Sequence, residues 1–211
     1  MAKFINGAIG TFSGKVGSII GSSWRSIPYM RGLSKKRTKP FTEAQLAQQQ
    51  RFGLMGEFLM PLKGLLEIGL ANMDDSRATI FNRAMGLNLP AVTGTYPDFT
   101  IDYAKVKFSK GPLLRPRNVT VSLAPDVVTV NWDPRTNRFT GKDEDEVYVL
   151  MHDHTQNLFY TSDTIVLRSA GSADIPLDDG TAGNEVDIWV FAVSPEGQIS
   201  ATIHAGTHTL V

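Results

Sequence analysis

The stretch VDIWVFAVSPEGQIS, residues 186–200, indicates the fold of the C-terminal half of this 211-residue chain. Residues 186–193 are rich in β-branched and aromatic side chains, which favour an extended strand. Pro195 and Gly197 then interrupt the apolar pattern and predict a turn. Residues 199–204 resume the pattern, so we expect a second strand that runs antiparallel to the first.

Further short strands precede this pair and alternate with turns rich in Gly, Pro, Asp and Asn. Several short strands separated by such turns predict an antiparallel β-sandwich, which we place at residues 115–211. One more predicted strand, residues 100–108, lies in a strand-and-linker segment of residues 91–114. The other predicted strands cover residues 118–123, 127–132, 147–152, 158–161 and 164–168.

Trp132 follows the alternating Val128 and Val130 in the second of these strands. Together with residues 186–200, this pattern resembles a fibronectin type III or immunoglobulin-like domain, in which an early strand carries a buried tryptophan. Residues 186–200 are similar to the penultimate strand, the turn and the start of the last strand of such a domain. The resemblance implies a sandwich without implying a function, because this fold hosts many functions.

Residues 42–90 carry helix signals instead. Thr42 and Gln45 have the spacing of a capping box, so we expect a helix to begin there. Pro61 suits the first turn of a second helix, and Asp74 or Asp75 suits the cap of a third that ends between residues 86 and 90. A helical hairpin or bundle of this size needs other support to be stable. The apolar stripe of the first helix is Leu46, Phe52, Leu54, Met55, Phe58 and Leu59.

The N-terminal segment, residues 1–41, has an unbalanced charge. It holds eight of the 21 basic residues and none of the 21 acidic ones, so the remaining chain carries 13 basic against 21 acidic residues. Its glycines recur every three or four residues, and each would cost a helix about 0.5–1 kcal/mol. We therefore expect an extended or looped basic arm that becomes ordered on a partner. The predicted fold class is α+β, with this arm, a short helical region and a C-terminal antiparallel sandwich.

The predicted partner-binding residues of the arm are cations with two interspersed aromatic rings. They could neutralise phosphates and stack on the bases of single-stranded nucleic acid. They could also anchor the arm between neighbouring protein subunits, where the cations would meet acidic surfaces such as residues 143–146. We expect the protein partner, because the glycines and short apolar residues at 4–20 suit close backbone approach. The set is Lys15, Trp24, Arg25, Tyr29, Arg31, Lys35, Lys36, Arg37 and Lys39.

Two segments of the chain are similar to an uncharacterised family of Bacteroidota proteins. They are GKVGSIIGSSWRSIPYMRGLSKKRTKPFTEAQLAQQQRF, residues 14–52, and TGTYPDFTIDYAKVKFSKG, residues 93–111. The resemblance covers the N-terminal two thirds of the chain. It implies a shared architecture, and the family has no assigned function.

The sequence lacks the motifs of common enzyme classes. The segment from Gly10 to Gly14 is one residue too short for a phosphate-binding loop, and Val16 stands where Ser or Thr would bind magnesium. No serine has the Gly-x-Ser-x-Gly surroundings of a hydrolase nucleophile. The acidic run of residues 143–146 is expected to be ionised and hydrated in a loop, unsuited to acid–base catalysis or to a calcium loop.

His152 and His154 would face the same side of a strand and could supply two metal ligands. The chain has no cysteine, which excludes disulfides and thiolate metal sites. A third ligand would have to come from elsewhere, so a hydrated strand end is the expected environment. We expect no metal and no cofactor.

These observations predict a non-enzymatic structural subunit of a large assembly, with a virion or phage-like particle as its setting. The arm would tether neighbouring subunits, in a homo- or hetero-oligomer. Two alternatives remain open: a nucleic-acid-binding protein that uses the arm, and a surface or glycan-binding adhesin that uses the sandwich. The chain shows no signal peptide and no membrane span, so we expect cytoplasmic synthesis, release by lysis or incorporation into a virion, and no membrane partner.

Overall fold

A computed structural model of the chain describes residues 3–4, 10–24, 26–36, 38–73, 78–136 and 141–211. The chain divides into two compact units, residues 1–42 and residues 43–211. None of the helices in the described ranges is long and apolar enough to cross a membrane.

The first unit is an antiparallel sheet of four strands that pair in chain order. The strands are β1 (Lys3–Phe4), β2 (Phe12–Val16), β3 (Ile19–Trp24) and β4 (Ile27–Gly32). The arm is thus extended as predicted, but its segments pair with one another, a pairing that the sequence did not predict. Glycines that argue against a helix serve a hairpin instead, since Gly17 has a φ of +57° in the two-residue turn between β2 and β3.

The second unit begins with three helices, α1 (Glu43–Leu59), α2 (Lys63–Gly69) and α3 (Ile80–Asn88). Helix α1 starts directly after Thr42, as predicted, and Pro61 lies in a 3₁₀ turn between α1 and α2. The cap of α3 is Thr79, whose Oγ1 accepts a hydrogen bond from the Asn82 amide at 3.2 Å. The predicted caps, Asp74 and Asp75, lie outside the described residues.

Two antiparallel sheets follow and form the sandwich. A hairpin, β5 and β6, precedes them. The first sheet has the order β12-β8-β7, and the second has the order β10-β9-β13-β14, with β11 also paired to β9. The strands are β5 (Val92–Thr95), β6 (Asp98–Ile101), β7 (Arg117–Ala124), β8 (Val127–Asp133), β9 (Glu146–Asp153), β10 (Leu158–Thr161), β11 (Val166–Leu167), β12 (Ser172–Pro176), β13 (Glu185–Val193) and β14 (Ile203–Thr209).

This arrangement confirms the predicted α+β class and the fibronectin-III-like sandwich. Trp132 lies on β8, is buried as predicted, and donates its indole N–H to the Arg168 carbonyl oxygen at 2.8 Å. Strands β5 and β12 were not predicted.

Two predicted strands differ in their bounds from those observed, and side-chain bonds lie where each one changes. The strand predicted at 100–108 ends at Ile101, and residues 103–105 form a 3₁₀ turn whose Asp102 pairs with Lys105 at 2.6 Å. The last strand begins at 203 rather than 199, because Thr202 Oγ1 accepts hydrogen bonds from the amides of residues 108 and 109.

Strand β13 is buried on both faces. Val186, Ile188 and Val190 pack between the two sheets of the sandwich. Trp189 and Phe191 point to the opposite side, because side chains alternate along a strand, and they pack into a second core with α1, α2 and α3. The helices therefore cover the outer face of the five-stranded sheet, and this packing supplies the support that so small a helical region needs.

Candidate functional site

The arm sheet brings four of the predicted partner-binding residues to one face. Lys15 and Arg31 both pair with Ile20, one from each neighbouring strand. Tyr29 precedes Arg31 by two residues on β4, and Trp24 follows Ile20 by four residues on β3. Paired residues and residues two apart share a face of an antiparallel sheet. Lys15, Trp24, Tyr29 and Arg31 therefore define what we call the cationic–aromatic face, and all four are exposed.

The opposite face of the arm sheet is apolar. Val16 and Ile19 pair with each other there, and Met30, which is 70% exposed, pairs with Gly21. Gly21 is buried, and a Cβ atom at this position would lie 2.7 Å from the ring of Phe12. The close backbone approach that the sequence predicts for the arm glycines is thus used within the arm sheet itself, at this position.

The other predicted arm residues fall outside the strands or outside the description. Lys35, Lys36 and Lys39 are exposed in the segment that follows β4. Arg25 and Arg37 lie outside the described residues. The arm therefore offers an ordered face with two cations and two rings, followed by an exposed basic segment.

The acidic run of residues 143–146 is not a uniformly hydrated loop, and this prediction was wrong for Asp145. Asp145 is fully buried, and its Oδ2 accepts hydrogen bonds from Arg168 Nε and from the Lys142 amide, each at 3.0 Å. Glu146 opens β9 and accepts a hydrogen bond from the Tyr148 hydroxyl at 2.7 Å. Burial and this bond raise the pKa of Tyr148 to about 12.

Asp143, Glu144 and Asp145 line a groove of about 630 Å³ together with Lys142 and Glu196, which we call the acidic groove. Lys142 Nζ pairs with Glu196 Oε1, and this hydrogen bond lowers the pKa of Glu196. Sequence reasoning found the acidic run but not Glu196 or Arg168, because these partners are more than 20 residues away and no motif connects them.

His152 lies on β9 and His154 directly follows it, and their rings lie close together, with centroids 5.3 Å apart. The expected hydrated strand end is wrong, however, because His152 is 1% exposed and lies edge-on against Phe58 of α1 at 5.2 Å. His154 stacks on Tyr103 at 4.4 Å and is only partly exposed. Strand alternation aims the His152 ring at the helical layer, and the His154 ring lies against Tyr103.

The Asp187 side chain, on β13, lies next to the His154 ring. The carboxylate is 1% exposed and accepts hydrogen bonds from His204 and from the Thr207 hydroxyl, the latter at 2.8 Å. Its Oδ2 is also 2.7 Å from His154 Nε2. Burial alone would raise the pKa of Asp187, but the bonds from His204 and Thr207 and the nearby histidine charges outweigh burial and lower it.

The arrangement holds three histidines and one aspartate against aromatic rings. Among the described residues, no group of three or more His, Asp or Glu side chains has the geometry to hold a metal ion. The buried Asp187 carboxylate links β13 to β14 through His204 and Thr207, and its other oxygen lies next to His154.

The buried histidine predicts a pH-dependent stability. Burial lowers the pKa of His152, although a hydrogen bond with Asn157 opposes the change. Between this lowered pKa and about 6.5 the unfolded chain binds more protons than the folded chain, so stability falls as the pH drops through that window. Urea unfolding should show a lower midpoint at pH 5.5 than at pH 7.5. The difference should be smaller in His152→Phe, and an equal difference would contradict this account.

Asp187 acts in a separate, more acidic window. Because its pKa is lowered in the folded chain, its contribution is complete above about pH 4 and is lost only as the pH falls below that value. A fall in stability between pH 7.5 and 5.5 is therefore not due to Asp187.

Solved structures similar to this chain include fibronectin type III domains. The fn3 domain of the human collagen alpha-1(XX) chain is 16% identical, and the match covers 49% of this chain and 90% of that one, with a TM-score of 0.35. The fn3 domain of human contactin 1 is 11% identical over 49% of this chain and 83% of that one, with a TM-score of 0.30. No curated protein matches the chain.

One family model matches residues 11–206. This range contains β2, β3 and β4 of the arm, all three helices and nearly all of the sandwich. The resemblance noted for the N-terminal two thirds thus extends across the sandwich, while a Bacteroidota origin stays a prediction. The chain belongs to the family of unknown function DUF6266.

Proposed function

We propose that this protein is a non-enzymatic structural subunit of a larger assembly, in which the cationic–aromatic face of the arm binds a neighbouring copy of the chain. The observation that carries the proposal is the convergence of Lys15, Trp24, Tyr29 and Arg31 on one exposed sheet face. Tyrosine, tryptophan and arginine are the residues that most often supply the binding energy of protein interfaces.

The charge distribution supports a protein partner of the same kind. The arm carries cations only, and the rest of the chain carries 21 acidic against 13 basic residues. Complementary charges on two copies favour encounter and fix orientation. A fibronectin-III-like sandwich is also an architecture that many interaction and adhesion modules share. The setting that we propose, a virion or phage-like particle, extrapolates from this combination of a basic arm and a compact body.

Sedimentation velocity over a range of concentrations tests the proposal. We expect the full chain to form species larger than a monomer, and Trp24→Ala/Tyr29→Ala to weaken this association by about 2 kcal/mol or more, roughly 30-fold. The matched control is Ile19→Ala/Met30→Ala, which removes exposed apolar side chains from the opposite face of the same strands and should associate normally. A wild-type chain that stays monomeric at high concentration, or an equal loss in the control, would refute the proposal.

Single-stranded nucleic acid is the second candidate partner, because rings and cations that share one sheet face can stack on bases and neutralise phosphates. Fluorescence anisotropy with a labelled oligothymidylate separates the two readings. An affinity that falls steeply with salt and is lost in Trp24→Ala/Tyr29→Ala would favour nucleic acid as the partner. Binding that changes neither with salt nor with this double substitution would eliminate nucleic acid.

A further inference from the structure

We infer that the acidic groove of the sandwich is the surface on which one copy of the chain receives the exposed lysines that follow β4, Lys35 and Lys36, of a second copy. The inference rests on the proposed function, since it names the acceptor for the same arm. It concerns residues that neither the family match nor the fold assigns to any role.

The first support is the charge of the groove. Four carboxylates line it, those of Asp143, Glu144, Asp145 and Glu196. Lys142 lies among them and pairs with Glu196, and Arg168 lies beneath and pairs with Asp145. Among the described residues, four negative charges stand against two positive charges, and Asp143 and Glu144, which take part in neither of these pairs, are exposed.

The second support is a carboxylate oxygen of Asp145, one of the residues that line the groove. Asp145 Oδ2 is fully engaged, but its Oδ1 is buried and accepts no hydrogen bond from any described residue. A buried carboxylate oxygen without a donor is costly and strengthens the local negative potential. Gly141 covers the pair: its φ is +105°, and a Cβ atom there would lie 2.6 Å from Asp145 Oδ2. A side chain at this position would collide with the ion pair.

The size and the composition of the chain identify the occupant. A cleft of about 630 Å³ is in the range that holds a ligand or a short peptide segment. The arm contains no acidic residue, so its charge is complementary to a surface lined by carboxylates and not to the arm of another copy. The exposed Lys35 and Lys36 provide adjacent cations on the segment after β4.

An arm on one copy and a groove on the next make a head-to-tail interface. Such interfaces produce rings when the rotation closes and filaments when it does not. Two copies that each place an arm in the other's groove would instead close as a symmetric dimer.

Charge reversal in the full chain tests the inference. Asp143→Lys/Glu144→Lys and Lys35→Glu/Lys36→Glu should each weaken self-association about tenfold or more, measured by sedimentation. A mixture of the two variants should associate again, because the acidic arm of one then meets the basic groove of the other. The matched control is Asp178→Lys/Asp179→Lys, an adjacent exposed pair outside the groove, which should leave association unchanged.

Each outcome decides between the two proposals. Normal association of the groove variant, together with loss in Trp24→Ala/Tyr29→Ala, would overturn the groove and leave the proposed function standing. Equal loss in the Asp178/Asp179 control, or a mixture that fails to associate, would also overturn it. A wild-type chain that remains monomeric would overturn both.

Discussion

Replacement of Phe58 by alanine is expected to lower the free energy of unfolding of the full chain by about 3–5 kcal/mol. Phe58 is 6% exposed and sits where α1 meets the outer face of the five-stranded sheet. Its removal leaves a cavity lined by aromatic rings that the surrounding elements cannot close without moving the helix. The ring centroids around it are those of Tyr103, Phe108, His152, Phe159 and Trp189, at 5.2–6.4 Å.

Urea unfolding followed by tryptophan fluorescence and by circular dichroism measures this effect. Phe52→Ala is the control, because Phe52 lies six residues earlier on the same helix and is 47% exposed. It should cost less than about 1 kcal/mol. Coincident transitions by the two probes would show that helices and sandwich unfold as one unit. A loss below 1 kcal/mol in Phe58→Ala would mean that the helical layer contributes little to stability.

The sequence predicted those elements whose signals are local. Strands β8, β9 and β13 begin and end within one residue of their predicted bounds, because alternation and flanking turn residues act over a few positions. The start of α1 after Thr42 was equally clear from its capping box. Phe52, which shares the apolar stripe of α1, is nevertheless exposed, since a stripe shows which face is apolar but not how far the covering layer extends.

The parts that were missed depend on contacts between distant residues. The pattern of β13 predicts a buried strand. It does not predict that helices pack on the outer face of this strand against Trp189 and Phe191. The burial of His152 follows from that same layer. In the arm, glycine spacing was used as evidence against helix, although the same residues permit the turn at Gly17 and the close contact at Gly21. The pairing of a strand depends on residues elsewhere in the chain, so the sequence of one strand does not show which strand it pairs with.

Replacement of Asp145 by alanine is expected to destabilise the chain by about 3–5 kcal/mol, because it leaves the buried Arg168 guanidinium without its carboxylate. Arg168 is 2% exposed, and its Nε lies 3.0 Å from Asp145 Oδ2. Its NH2 group donates to the Leu114 carbonyl oxygen at 2.8 Å, but a neutral carbonyl cannot compensate a full charge removed from water. Asp143→Ala, an exposed neighbour on the same run, should stay within about 0.5 kcal/mol of the wild type.

The paired replacement distinguishes a buried charge from lost packing. In Asp145→Leu/Arg168→Met neither charge remains, so the loss should be smaller than in Asp145→Ala alone, even though more atoms change. A double variant less stable than the single one would mean that the cost comes from packing of the replaced side chains and not from the unpaired charge. The bond from the Trp132 indole is made to the Arg168 backbone and is available in every variant. Because Asp145 supports the fold in this way, substitutions that probe the acidic groove belong at Asp143 and Glu144, where binding can be altered while the buried pair stays intact.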